Sequence, residues 1–134
     1  MEWNVKMENA NFNIFIRTEN FKYSEFACPC CGFNIIDEHL VHRLQVLRDY
    51  IGAKITILSG CRCRSHNAKV GGEPGSYHLK GMACDFTMKD QSDLALIAES
   101  WQNWSGGFHF YERQGFIHLD ICPRRRFKGA FPKK

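Results

Sequence analysis

Between residues 37 and 50 the apolar positions Leu40, Val41, Leu44 and Leu47 recur at three-and-four spacing, the signature of one helix face. Asp37 stands where an N-cap belongs and Gly52 just past the other end, so the pattern predicts a core-facing amphipathic helix. Ile55-Thr56-Ile57-Leu58 reads as a short strand closed by Ser59-Gly60. Residues 62–81 are polar and glycine-rich and read as one long loop. Residues 84–88 read as a second strand, and 90–103 as a second helix with Leu94, Ile97, Ala98 and Trp101 on one face. Gly106-Gly107 breaks the chain before two runs, 108–111 and 116–121, that suit a hairpin. Upstream, Phe12, Ile14 and Ile16 alternate within a polar stretch, giving an arm or edge strand over residues 1–20. Residues 21–36 hold Phe21, Phe26 and the knot Cys28-Pro29-Cys30-Cys31-Gly32 and read as turns. The sum is an α+β domain, a small, mainly antiparallel sheet with flanking helices, over residues 21–122.

Composition narrows this. The 134 residues suit one domain, and 44% apolar with 13% aromatic content excludes global disorder. No run of eighteen apolar residues exists, so no membrane-spanning helix is expected. Met1-Glu2-Trp3-Asn4 opens no secretory leader, so the chain is expected to be made in the cytoplasm, or to start after a removed leader. The net charge of +4 is uneven: the tail, residues 123–134, carries six of the eighteen basic residues and no acid. Such a tail either keeps the protein soluble, the favoured reading, or attracts a polyanion such as an anionic wall.

Seven cysteines, without a leader, are read chiefly as small buried or unpaired thiols. Cys28 and Cys31 form a C-x-x-C that, with Cys61 and Cys63, offers a four-thiolate structural zinc site as one alternative and disulfides as another.

Three side chains carry the chemistry: His78, Asp85 and His118. Hydrolytic zinc sites use three protein ligands drawn from His, Asp and Glu. His78 and Asp85 stand seven positions apart, which is about 10 Å along a helix or about 23 Å along a strand, too far in either case for one ion. The chain must therefore turn back between them, and Gly81 sits where that bend is needed. In the run 116–121, Ile117, Leu119 and Ile121 share one strand face, while Phe116, His118 and Asp120 share the other.

Ser76-Tyr77-His78-Leu79-Lys80-Gly81-Met82-Ala83-Cys84-Asp85 resembles the S-x-H-x-x-G-x-A-x-D signature of the D-alanyl-D-alanine carboxypeptidase-like zinc peptidases, the LAS group of peptidoglycan peptidases. Ser59-Gly60-Cys61-Arg62, then Asn67 with Val70-Gly71-Gly72, and finally 116–120 resemble further elements of that group, in order. The resemblance implies a LAS/hedgehog-like fold and one catalytic zinc ion on His78, Asp85 and His118. It also implies that Arg62 holds a substrate carboxylate or polarised carbonyl, and that Ser76 ties the ligand loop or touches substrate. The implied activity is that of a DD-carboxypeptidase or endopeptidase on peptidoglycan stem peptides, similar to a phage or prophage endolysin, acting at the cell wall or periplasm after release or export.

Some relatives place an acid three residues before the last ligand, or a His two before it; here those positions are Gly115 and Phe116. Asp120 and Glu112 remain as candidate bases, with Asp120 alternatively orienting His118 and Glu112 alternatively a plain turn residue. His66 and His109 are further candidates to line the cleft. A zinc-bearing binding module without turnover, as in the hedgehog signalling domain, is the runner-up. A nucleic-acid binder built from the cysteines and Arg124–Arg126 comes last.

Overall fold

The computed structural model describes residues 19–99 and 106–122. The expected arm, the basic tail and Trp101 lie outside the described residues, apart from Glu19 and Asn20. In chain order a short 3-10 turn at Tyr23–Phe26 leads to helix α1 (Glu38–Ile51), strand β1 (Thr56–Ser59) and helix α2 (Arg64–Lys69). A second 3-10 turn (Tyr77–Lys80), β2 (Ala83–Thr87), α3 (Gln91–Glu99), β3 (Phe108–Tyr111) and β4 (Phe116–Asp120) follow. None of the described helices is long and apolar enough to cross a membrane.

The four strands form one antiparallel sheet in the order β1-β2-β4-β3, so the fold is α+β as the pattern predicts. Asp37 caps α1 by accepting the amide of His39 at 2.8 Å, and Gly52 ends the helix. Leu40 and Leu44 of α1 and Leu94 and Ile97 of α3 are buried in one core cluster with Cys84, Phe86, Ile117 and Leu119 of the sheet. Strand alternation puts those sheet residues on one face and Asp85 and His118 on the other. The helices thus fill one face of the sheet, and the polar face is left to the segment between β1 and β2.

That segment departs from the expected continuous loop, because it contains α2 and the second 3-10 turn. Arg64–Lys69 has few apolar residues, and its start is stabilised by an unusual cap, the Cys63 sulfur accepting the amide of His66 at 3.4 Å. The last strand also departs from a simple amphipathic reading. Both of its faces are buried, Phe116, His118 and Asp120 as well as Ile117 and Leu119. The segment between β1 and β2 covers what an exposed sheet would leave wet.

Candidate metal centre

The site begins with strand pairing. In β2 and β4, Asp85 is paired with His118, which places their side chains together on the polar face. On the other side of β2, Asp85 faces Ser59, although Ile57 is paired with Phe86. The extra residue, Leu58, is a bulge that turns Ser59 toward Asp85 and leaves Leu58 exposed. His78 arrives from the second 3-10 turn. Ser76 starts that turn by accepting the His78 amide on its hydroxyl at 3.1 Å, and Gly81 ends it at φ 70°. A side chain at Gly81 would strike the backbone of Ile35, so left-handed conformation and tight packing both call for glycine there.

His78, Asp85 and His118 each offer a ligand atom within 4.8 Å of those of the other two. Asp85 Oδ1 is 3.4 Å from His78 Nε2 and 2.9 Å from His118 Nδ1. Ligands of a tetrahedral zinc ion at about 2.0–2.1 Å stand about 3.3–3.4 Å apart, so the His78–Asp85 separation is at ligand spacing and the His118–Asp85 separation is somewhat shorter. The far nitrogen of each ring is held by an oxygen. His78 Nδ1 lies 2.7 Å from the Gly60 carbonyl, which can only accept, so Nδ1 carries the proton and Nε2 presents a lone pair. His78 Nε2 is buried and makes no hydrogen bond, a costly state that a cation would relieve. His118 Nε2 lies 3.1 Å from Asp120 Oδ2, leaving Nδ1 to face Asp85. The donor set therefore fits a divalent metal ion, with both rings oriented from behind.

Arg62 is 2% exposed and lies behind Asp85. Its Nε donates to Ser59 Oγ at 3.1 Å, Nη1 to Asn67 Oδ1 at 3.0 Å and Nη2 to Asp85 Oδ2 at 3.3 Å. Three of the five N–H groups of a guanidinium are thereby used, and one Asp85 oxygen is taken while the other stays with the imidazoles. Burial alone would raise the Asp85 carboxyl. The imidazoles of His78 and His118 outweigh it and hold Asp85 well below the usual carboxylate range. Burial pushes His78 down. Burial also opposes charge on His118, but its hydrogen bonds to Asp120 and Asp85 outweigh that and raise it.

Asp120 is fully buried, and its Oδ1 accepts the amides of Gly107 at 2.8 Å and Cys122 at 3.3 Å. It stands on the far side of the His118 ring from Asp85. Glu112 is exposed in the turn between β3 and β4. His109 is paired with His118 across β3 and β4 and is half-buried, its ring edge-on to Tyr111 at 4.5 Å between centroids. Tyr111 was not among the sequence candidates. Burial first, then the Asp85 charge, pushes its phenol up to about 12. Its only sequence signal is its position two residues after His109, on the same strand face. A cavity of about 210 Å³ adjoins the centre, lined by Leu58, Ser59, Arg62, His66, Val70, Asp85 and Phe116.

The cysteines divide differently from the sequence pairing. Cys63 lies with Cys28, Cys30 and Cys31, whereas Cys61 is buried and takes the Ile35 amide on its sulfur at 3.2 Å. No disulfide joins any of the seven.

A polar sheet face with a His–Asp–His centre under a covering segment defines a class that comparison makes specific. The profile of the peptidase M15 family matches residues 19–120, and the chain belongs to that family. It is 29% identical over 103 residues to the probable peptidoglycan L,D-endopeptidase MepK of Haemophilus influenzae, covering 71% of this chain and 55% of that protein. It is 28% identical over 99 residues to the peptidoglycan L,D-endopeptidase MepK of Escherichia coli K12, covering 69% and 54%. The chain spans about half the length of these relatives.

Proposed function

We propose that the chain is a zinc-dependent peptidase that cuts peptide bonds in peptidoglycan stem peptides, as an endopeptidase rather than a DD-carboxypeptidase. The observation that carries this reading is the convergence of His78 Nε2, Asp85 Oδ1 and His118 Nδ1 beside an open cavity. The similarity to two L,D-endopeptidases favours internal cleavage. When bound, the ion supplies Lewis-acid chemistry, drawing charge from the scissile carbonyl so that hydrolysis proceeds near neutral pH.

The chain's own residues do the rest. Asp85 keeps one oxygen for the metal because Arg62 holds the other. Arg62 lines the cavity, and in this reading its remaining N–H groups hold a substrate carbonyl. Ser76 fixes the turn that delivers His78. Asp120 orients His118 rather than taking a proton from water, since its oxygens already face the His118 ring and two backbone amides.

Besides His66 in the cavity wall, two side chains are our candidates for the base: Glu112, exposed in the hairpin turn, and His109, opposite His118. Glu112→Gln and His109→Gln separate them. The variant lacking the base keeps its metal and loses turnover by about 10²–10⁴-fold, while the other keeps both. Full turnover in both would return the role to Asp120.

Digestion of purified peptidoglycan by the zinc-loaded protein, read as new peptide termini, tests the function as a whole. Internal cleavage that His78→Ala abolishes is the expected result. Release of terminal D-alanine alone would change the assignment to a carboxypeptidase. A loaded protein that cleaves nothing would leave a binding module.

A further inference from the structure

A second convergence of metal-ligating side chains lies outside the His–Asp–His centre. The sulfurs of Cys28, Cys30, Cys31 and Cys63 all fall within 4.8 Å of one another. Cys30 Sγ is 3.3 Å from Cys63 Sγ and 3.7 Å from Cys28 Sγ. Four thiolates bound to one tetrahedral zinc ion at about 2.3 Å stand about 3.8 Å apart, so these sulfurs already surround the volume such an ion fills.

The backbone explains the convergence. Residues 28–33 close into a tight loop, Gly32 donating to the Cys28 carbonyl and the Cys28 amide to the Phe33 carbonyl, both at 2.8 Å. The Cys61 amide donates to the Phe26 carbonyl at 2.8 Å, which draws the segment containing Cys63 alongside that loop. Cys63 then sits half-buried at the start of α2, its sulfur taking the His66 amide. A disulfide requires two sulfurs; here four meet from segments thirty-three residues apart at Cys30 and Cys63.

We infer that Cys28, Cys30, Cys31 and Cys63 form a second metal site, a four-thiolate centre for a thiophilic divalent cation, zinc foremost, that ties the 28–33 loop to the start of α2. Thiolates select zinc over magnesium or calcium, and four protein ligands leave no position for water, so the role is structural. Cys63 follows Arg62 directly, so the centre also steadies the residue that holds Asp85. The sequence alone favoured unpaired thiols over a site on Cys28, Cys31, Cys61 and Cys63, because Cys61 and Cys63 flank Arg62; that Cys61 faces the core shows only in the fold.

The test is metal content of the full chain purified with a reductant and zinc. Two zinc ions per chain are expected for the wild type, and one each for Cys30→Ser/Cys31→Ser and for His78→Ala. Cys30 and Cys31 are exposed, so their replacement leaves the core intact. Cobalt substituted into His78→Ala should show intense thiolate-to-metal absorption in the near ultraviolet, lost when Cys30 and Cys31 are also changed. A wild type with one zinc that only the cysteine variant loses would support this site and count against the histidine centre. One zinc lost only in His78→Ala would overturn the thiolate centre.

Discussion

At the scale of residues the centre is a set of charges held in place by hydrogen bonds. Without a bound metal, the protein must balance two imidazoles against Asp85, and the directions of their shifts give a pH dependence. His118 is raised, so above about pH 6.5 the folded state holds a proton that the unfolded state has released, and stability falls as pH rises through the folded value. His78 is lowered, so below about pH 6.5 the unfolded state takes a proton that the folded state refuses, and stability falls as pH drops. Asp85, also lowered, adds to the loss in stronger acid, below about pH 4. Urea unfolding of the stripped protein should therefore show a maximum near pH 6.5; stability that keeps rising to pH 9 would contradict the protonated His118. Arg62 is the other critical residue. Arg62→Ala leaves Asp85 Oδ2 and Asn67 Oδ1 buried without their partner and should cost about 3–5 kcal/mol in the same assay. A loss under 1 kcal/mol would mean that Arg62 serves substrate alone.

At the scale of elements, the approach of β3 to β4 decides where His118 points. Gly107 and Asp120 exchange backbone and side-chain bonds, the Asp120 amide donating to the Gly107 carbonyl at 2.9 Å. A Cβ at Gly107 would overlap the Asp120 carboxylate. Gly107→Ala should push Asp120 off the His118 ring and weaken metal affinity about 10–100-fold, as should Asp120→Ala. Equal affinity in Gly107→Ala and wild type, measured by competition with a chromogenic chelator, would show that His118 is held without Asp120. Other elements differ in how far the chain announces them. Helix α1 was legible because its apolar spacing, its Asp37 cap and Gly52 agree, and the His78–Asp85 turn because no regular element could join those ligands. Helix α2 was not, since RSHNAK has no apolar stripe and starts on a sulfur cap. Nor was the one-residue bulge at Leu58, whose consequence, Ser59 facing Asp85 and bonding Arg62, exists only once β1 and β2 pair. Asp120 was visible as a ligand-face residue, but its place behind the ring depends on Gly107, thirteen residues away.

At the scale of the whole molecule the sheet separates two jobs, core on one face and the His–Asp–His cluster on the other, and a metal bound there would tie the 3-10 turn to the sheet. The proposed ligands come from β2, β4 and the 3-10 turn between α2 and β2, while α1 and α3 pack on the opposite face. Binding should then stabilise the fold as a whole, because a metal that binds only the folded state adds RT ln(1 + [metal]/Kd). At a free zinc concentration one hundred times the dissociation constant this is about 2.7 kcal/mol, which for a domain of this size corresponds to a rise of roughly 10 °C in melting temperature. The measurement belongs in the Cys30→Ser/Cys31→Ser background, where the histidine centre alone reports. Titrating zinc into that stripped protein should raise the melting temperature by this amount, and His78→Ala in the same background should cancel the rise. A rise that survives His78→Ala would mean that the ion stabilises the fold from elsewhere, and the three ligands would lose their claim to it. A rise that vanishes with His78 but persists in Glu112→Gln and His109→Gln would separate holding the metal from using it, the distinction on which the peptidase reading depends.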